Sequence, residues 1–301
     1  MIYSVYGVHV ASEIEFPLAT RPEPSGGPDV DIRLGPVDWD PPDGEWWEGD
    51  TWLERGWSGG TALLVFPGLS AALDVAAPVI TVDVDDGVDP AYVAHVVLDH
   101  VLPRWLYLRG DLVLHGGAVV APSGQAVAFV GTTGRGKSSL VTALATAGWP
   151  LLGDDACRLG RTDATWWAHP SYPGVRLNRA SRAALAPGAT SSPMAGDSDK
   201  HRVLPDVRAA VGPVPLGLVV ELGADLAPAS LQRLSLGQAV GVVTQHSFSL
   251  SGSGPSMTRD AFARSGDLAT DVPVHHLEFP RRWDVFADVA ALVDAALSAG
   301  G

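Results

Sequence analysis

The sequence predicts a mixed chain, α/β to α+β in class, with a small β-rich N-terminal domain (residues 1–88) ahead of a larger phosphate-loop domain (residues 89–301). Three observations carry this reading. Ala126 to Val130 is a short apolar run that ends in Gly131-Thr132-Thr133-Gly134-Arg135-Gly136-Lys137-Ser138, and Ser139 to Ala147, good helix material, follows it. A buried strand, a G-x-x-x-x-G-K-[ST] loop and a helix, in that order, are what a phosphate-binding loop (P-loop) requires. Residues 1–88 hold short alternating apolar runs separated by Gly, Pro and Asp, which is the pattern of strands and turns. Between the two, Asp86 to Pro90 breaks the alternation, and Pro90 suits the first turn of a helix.

Taken in order, Met1 to Val10 alternates well enough for a strand. Asp29–Leu34, Thr61–Phe66, Ala71–Val75 and Val79–Asp85 read as further strands, while Pro41 to Trp57 is too rich in Gly, Pro and acids for a helix. Ala91 to Leu108 has helical spacing, is apolar on most sides and carries Pro103 as a kink or break. The i, i+5 spacing of His95 and His100 does not put them on one face of an α-helix. Leu112 to Ala121 reads as one strand carrying His115, turned back by Pro122-Ser123-Gly124.

After the loop and its helix, Gly148 to Gly153 is a turn and a short strand ending in Asp154-Asp155. Ala164–His169 and Val175–Leu177 are extended, and a brief helix starts at Arg179. Ala186 to Asp199 is a run of small residues with no apolar period, read as a mobile loop that ends in Lys200-His201-Arg202. Leu216–Leu222 and Ala229–Leu234 are strands, Ser235–Thr244 has a helix-like pattern, and Ser247–Met257 is a second loose loop. Thr258–Ser265 reads as a helix, Val272–Phe279 as a strand and Trp283–Ser298 as a closing amphipathic helix. In that strand His275 and His276 point to opposite faces, so the pair does not read as a metal site.

The loop carries the most specific chemistry. Its glycines allow tight winding, so that successive N–H groups point at phosphate oxygens, and the helix adds the positive end of its dipole. The expected phosphate contacts are Gly131, Thr132, Thr133, Gly134, Arg135, Gly136, Lys137, Ser138 and Ser139, with Lys137 reaching the terminal phosphates and the Ser138 hydroxyl on Mg²⁺. Two carboxylates at the next strand end suit two tasks, holding the metal (Asp154) and taking a proton from an attacking hydroxyl (Asp155). Lysine is scarce, Lys137 and Lys200 being the only two against 18 arginines, which draws attention to the second. A mobile loop ending in Lys200 and Arg202 is what a lid would need, and either cation could stabilise charge on a transferring phosphoryl group.

Leu114 to Leu159, LHGGAVVAPSGQAVAFVGTTGRGKSSLVTALATAGWPLLGDDACRL, resembles the catalytic domain of HPr kinase/phosphorylase and its relatives, and the likeness continues more weakly to Arg202. The resemblance implies a P-loop kinase domain of the HPr kinase and phosphoenolpyruvate carboxykinase-like type, with ATP and Mg²⁺ as cofactors and His115 close to the reacting groups. The family's Glu-Ile-Arg-Gly type run has no counterpart here. The layout is more similar to the shortened HPr-kinase-like proteins of peptide biosynthesis clusters, lasso-peptide clusters among them, which implies phosphorylation of a peptide serine.

Composition limits the partners. The net charge of −14 argues against wrapping nucleic acid. It lies entirely in residues 1–90, where 17 acids face three arginines. This stretch also holds Trp39, Trp46, Trp47, Trp52 and Trp57, half of the ten tryptophans. They serve either as packing or, with the acids, as a dock for a basic and partly apolar peptide or small protein. A homo-oligomer is compatible with everything in the sequence. One cysteine, Cys157, excludes an internal disulfide. No apolar run approaches the ~18 residues of a membrane span, and the start lacks a basic signal region, so a cytoplasmic protein is expected.

The leading functional expectation is an ATP- and Mg²⁺-dependent kinase acting on a serine of a peptide or small protein. Two alternatives stand beside it: a nucleotide-gated binding module and a small-molecule kinase. The absence of an N-K-x-D pattern favours ATP over GTP.

Overall fold

The computed structural model describes residues 1–37, 47–49, 53–58, 60–194, 199–226, 228–248 and 255–299. Among the described residues it is a mixed α/β chain with three sheets. It divides into two compact units, one containing Met1–Asp111 and the other beginning at Leu112.

The first unit is built on one eight-stranded sheet. Its strands are β1 (Ile2–Val5), β2 (Val8–Ser12), β3 (Val30–Leu34), β4 (Trp47–Gly49), β5 (Glu54–Ser58), β6 (Thr61–Phe66), β7 (Leu69–Asp74) and β8 (Val79–Val84), in the order β1-β2-β3-β8-β7-β6-β5-β4. The predicted strand at residues 1–10 is a hairpin instead. Tyr6 and Gly7 both have positive φ, 55° and 71°, which is the two-residue turn whose twist matches paired strands. Burial alternates along β7, with Leu69, Ala71 and Leu73 inside, as period 2 demands. The residues predicted to dock a peptide fall mostly outside this description: Trp39, Trp46 and Trp52 are not among the described residues, nor is the Trp47 side chain. Trp57 is half-buried in β5.

The helical stretch after Pro90 belongs to this first unit, so the division falls after Asp111 rather than after residue 88. Asp89 caps its start, accepting a hydrogen bond from the Ala91 N–H. The stretch runs as α1 (Pro90–Val96), a π-helical segment (Val97–Val101) and α2 (Leu102–Leu108). Pro103 cannot donate to a carbonyl one turn back, and the wider π turn precedes it. The Tyr6 hydroxyl donates to the Leu98 carbonyl at 3.2 Å, and the Arg109 guanidinium to the Val75 carbonyl at 2.7 Å, which fixes the helix to this sheet. The π turn also reverses one expectation. His95 and His100 meet edge-to-face with centroids 5.4 Å apart, since i and i+5 are neighbours on a π-helix.

In the second unit the strands are β9 (Leu112–Leu114), β10 (Gly116–Val120), β11 (Ala126–Val130), β12 (Leu151–Gly153), β13 (Cys157–Thr162), β14 (Thr165–His169), β15 (Val175–Asn178), β16 (Thr190–Pro193), β17 (Lys200–Leu204), β18 (Val214–Leu222), β19 (Ser230–Arg233) and β20 (Val274–Glu278). A nine-stranded sheet runs β12-β10-β11-β18-β14-β13-β9, with β20 beside β18 and β19 beside β20. The predicted strand at residues 112–121 is split at His115: β9 pairs with β13, whereas β10 pairs with β11 and β12.

The helices are α3 (Lys137–Thr146), α4 (Arg179–Leu185), α5 (Leu236–Gln245), α6 (Pro255–Asp271) and α7 (Phe286–Ala299). Of the predicted loose loop at residues 247–257, residues 249–254 lie outside the description, and the helix that follows begins at Pro255 and continues to Asp271. The core joins Val127 and Phe129 of β11 and Leu218 and Val220 of β18 to Leu140, Val141 and Leu144 of α3 and Val289, Val293 and Leu297 of α7. Each fully buried side chain of this kind stabilises by about 1.5–3 kcal/mol relative to exposure. The α3 helix ends on Gly148, with φ 100°, and the Gly148 and Trp149 N–H groups bond back to Ala145 and Leu144.

The small third sheet, β15-β17-β16, takes in part of the stretch at 186–199 that the sequence predicts as a loop. Thr190–Pro193 is a strand, Lys200–Leu204 lies between two partners, and residues 195–198 fall outside the description. Among the described residues no helix is long and apolar enough to cross a membrane.

Close packing sets one expectation. A Cβ on Gly116 would stand 2.3 Å from the Phe129 carbonyl oxygen of the adjacent strand, and that backbone cannot yield without breaking the β10–β11 ladder. Gly116→Ala is expected to destabilise the chain by roughly 1–3 kcal/mol, read as a lower melting temperature, and an unchanged melt would refute the register.

Candidate active site

The bend after β11 is possible because of its glycines. Gly131, Gly134 and Gly136 have φ of 145°, 84° and 89°, values that residues with a Cβ rarely adopt. The α3 helix starts immediately after Gly136, which has no side chain to cap it, so N–H groups of the first turn are available to an anion. Lys137 is 7% exposed, and its ammonium donates to the Gly131 carbonyl at 2.7 Å, closing the loop on itself. Thr132, Thr133, Gly134 and Arg135 are exposed at the rim, with Arg135 Nε 3.3 Å from the Thr132 hydroxyl. Ser139 points elsewhere in part, sharing a 2.9 Å hydrogen bond with Ser181 of α4.

Beside this bend, β12 delivers both aspartates into the interior, Asp154 1% and Asp155 8% exposed. Asp155 adopts a left-handed conformation, φ 73°, which aspartate tolerates better than most residues, and its carbonyl accepts the Gly116 N–H at 3.1 Å. One residue holds the pair in place. The Arg176 guanidinium forms an ion pair with Asp155, while the Arg176 backbone N–H donates to Asp154 Oδ2 at 2.9 Å. Burial, and after it the Asp155 charge, push the Asp154 pKa upward; hydrogen bonds from Arg176 and Ser138 oppose the rise. Burial pushes Lys137 down, the charges of Asp155 and Asp154 pull it back, and Lys200 and Arg176 add to the lowering. These groups therefore share one electrostatic environment.

The donor set suits Mg²⁺. Asp154 Oδ1 is buried, the other oxygen is held by the Arg176 N–H, and the Ser138 hydroxyl stands by the same carboxyl. Mg²⁺ prefers hard oxygen ligands and takes few from protein, leaving the rest to water and phosphate.

The other expected residues separate. Register on the small sheet places Asn178 opposite Lys200 and Arg176 opposite Arg202, so Arg176, Lys200 and Arg202 share one face. Lys200 is close enough to depress Lys137. Arg202 instead lies over the Tyr172 ring, 4.7 Å from its centroid. His115 sits at the break between β9 and β10. Its N–H donates to the His246 carbonyl at 2.6 Å, and its ring meets Phe248 edge-on at 5.7 Å, while the next residue bonds Asp155.

Sequence reasoning missed several neighbours. Arg176 was read only as part of a short extended run, although a charged residue between the buried Val175 and Leu177 was a usable signal. Glu221, opposite Val130 at the loop end of β18, accepts from His276 Nδ1 at 2.7 Å and has His246 Nε2 at 3.6 Å. Burial pushes His246 down, Glu221 pulls it back, and Lys137 adds to the lowering, so this triad borders the loop. An acid near the carboxyl end of a parallel strand was the available cue. His275 is buried while His276 reaches Glu221, in keeping with opposite faces.

No protein-family model matches the chain, and no curated protein matches it. Among solved structures it is similar to the Hpr(Ser) kinase/phosphatase from Coxiella burnetii, at 13% identity and a TM-score of 0.33, over 63% of this chain and 99% of that one.

The raised Asp154 pKa has a defined sign. A carboxyl whose folded pKa lies above its ordinary 3.8 binds protons more tightly when folded. Stability is therefore lost as pH rises from 3.8 through the folded value, and the deficit persists at neutral pH. Asp154→Asn is expected to melt higher than the parent at neutral pH, by roughly 2–4 °C per kcal/mol relieved, with the advantage shrinking in acid. Equal melting curves at both pH values would refute the desolvated carboxyl.

Proposed function

We propose that this chain is an ATP- and Mg²⁺-dependent phosphotransferase that moves the γ-phosphoryl group to a serine hydroxyl of a peptide or small protein. One observation carries the proposal: Lys137, Ser138, Asp154 and Asp155 converge beside a glycine-wound bend at the start of α3. Mg²⁺ held by Ser138 and Asp154 would neutralise charge on the β- and γ-phosphate oxygens.

The remaining roles fall to the protein's own groups. Lys137, already oriented by the Gly131 carbonyl, exchanges that neutral acceptor for phosphate oxygen. Asp155 takes the proton of the attacking hydroxyl, and Arg176 positions it by gripping its carboxylate. Lys200 adds positive charge near Lys137. Catalysis of this kind is mostly positioning and electrostatics in a dry setting, which the burial of both aspartates supports.

Charge supports a peptide acceptor. The acidic excess of residues 1–90 favours a basic, partly apolar segment at long range, and that attraction weakens with salt. A ribosomal precursor peptide of the lasso type is one such acceptor, and its support is the resemblance over residues 114–159 alone. Cytoplasmic residence belongs to the same reading.

Asp155→Asn is expected to lower transfer by about 10²–10³ while nucleotide still binds. The measurement is γ-labelled ATP with candidate peptides, followed by intact mass for the gain of one phosphoryl group. Full turnover by the variant would remove Asp155 as base. Label released only as free phosphate would instead favour a nucleotide-gated switch.

A further inference from the structure

Two arginines meet on one carbonyl beside the bend. Arg281 Nη2 donates to the Gly223 oxygen at 2.7 Å, and Arg135 Nη1 donates to the same oxygen at 3.3 Å. Gly223 directly follows β18 and is held by its own N–H on the Leu277 carbonyl at 2.8 Å, so the shared acceptor is part of the sheet. Arg281 is fixed at both ends. Its guanidinium lies over the Phe279 ring, 4.2 Å from the centroid, and its backbone N–H donates to Asp225 Oδ1 at 3.0 Å.

One part of this arginine has no protein partner among the described residues. Arg281 Nη1 is buried and makes no hydrogen bond. It lies 3.8 Å from where a Cβ on Gly136 would stand, and Gly136 immediately precedes Lys137 in the loop. A buried donor left unmade is costly, more so when charged. Two guanidiniums sharing one neutral oxygen also repel: burial depresses Arg281, Asp225 opposes this, and Arg135 depresses it further. An anion that met Nη1 would satisfy the donor and relieve the repulsion together.

We propose that Arg281, assisted by Arg135, forms a second cationic grip on the loop-bound polyphosphate, with Arg281 Nη1 donating to a phosphate oxygen. The assignment rests on the phosphate reading of the loop. A planar, fixed guanidinium suits phosphate recognition, and here the ring of Phe279 and the Gly223 carbonyl orient it in advance. It adds to Lys137 a donor outside the Lys200 and Arg202 cluster.

The test is calorimetric titration of the full chain, with Mg²⁺ present, by ATP and separately by inorganic tripolyphosphate. Arg281→Met keeps an apolar stem against Phe279 and removes the charge. Both affinities should fall together by about tenfold to a hundredfold. Arg135→Ala, at an exposed position, should give a smaller loss shared by both ligands, and it serves as the readout if Arg281→Met does not fold. Unchanged tripolyphosphate affinity in the folded Arg281→Met protein, or in Arg135→Ala when it alone folds, overturns the grip while leaving the loop reading intact. A parent chain that takes up neither ligand overturns both.

Discussion

Two neighbouring carboxylates taken out of water are the constraint on which the candidate site depends. An ionised carboxylate loses several kcal/mol on burial even after the protein relaxes, and a like charge on the next residue adds to that. Arg176 makes the arrangement tenable by serving both acids at once, Asp155 through its guanidinium and Asp154 through its main-chain N–H. The three-stranded sheet makes this possible. Val175, Leu177 and Val203 sit in the main hydrophobic core, which leaves the alternate positions of the same strands for Arg176, Lys200 and Arg202. Apolar packing on one face thereby holds cationic chemistry on the other.

The aspartates are adjacent in sequence yet unlike in environment. Asp154 is fully buried, with one oxygen tied to the backbone and the Ser138 hydroxyl beside the carboxyl. Asp155 has a left-handed backbone and is paired with a cation. Under the proposed function, that difference would let one acid suit a metal and the other an acceptor hydroxyl. Two carboxylates in a uniform environment would offer no such division.

Local chemistry was legible in the sequence, and pairings between distant segments were not. The strand–bend–helix from Ala126 to Thr146 was readable because its glycines, lysine and apolar runs act on their immediate neighbours. The Tyr6-Gly7 turn escaped because a tyrosine is an unusual occupant of a left-handed turn position. Residues 200–204 escaped for another reason. Lys200-His201-Arg202 shows no apolar alternation, and its extended form comes from two flanking partners rather than from its own pattern. Arg176, Glu221, His246 and Arg281 reach the loop only through sheet register and chain reversal, which no short window contains.

The widened turn at Val97–Val101 carries a consequence of its own. A single surplus residue inside a helix rotates everything downstream by about 100° around the axis. Upstream, Val93, Val96 and Val97 are buried; downstream, Leu102, Trp105 and Leu106 are. All of α2 but Arg104 is buried, in keeping with a sequence that is apolar on most sides. Removing one residue there would let an ordinary helix run through, but it would swing Trp105 and Leu106 off the side they now occupy. The π turn thereby sets the direction in which the buried side chains of α2 are aimed.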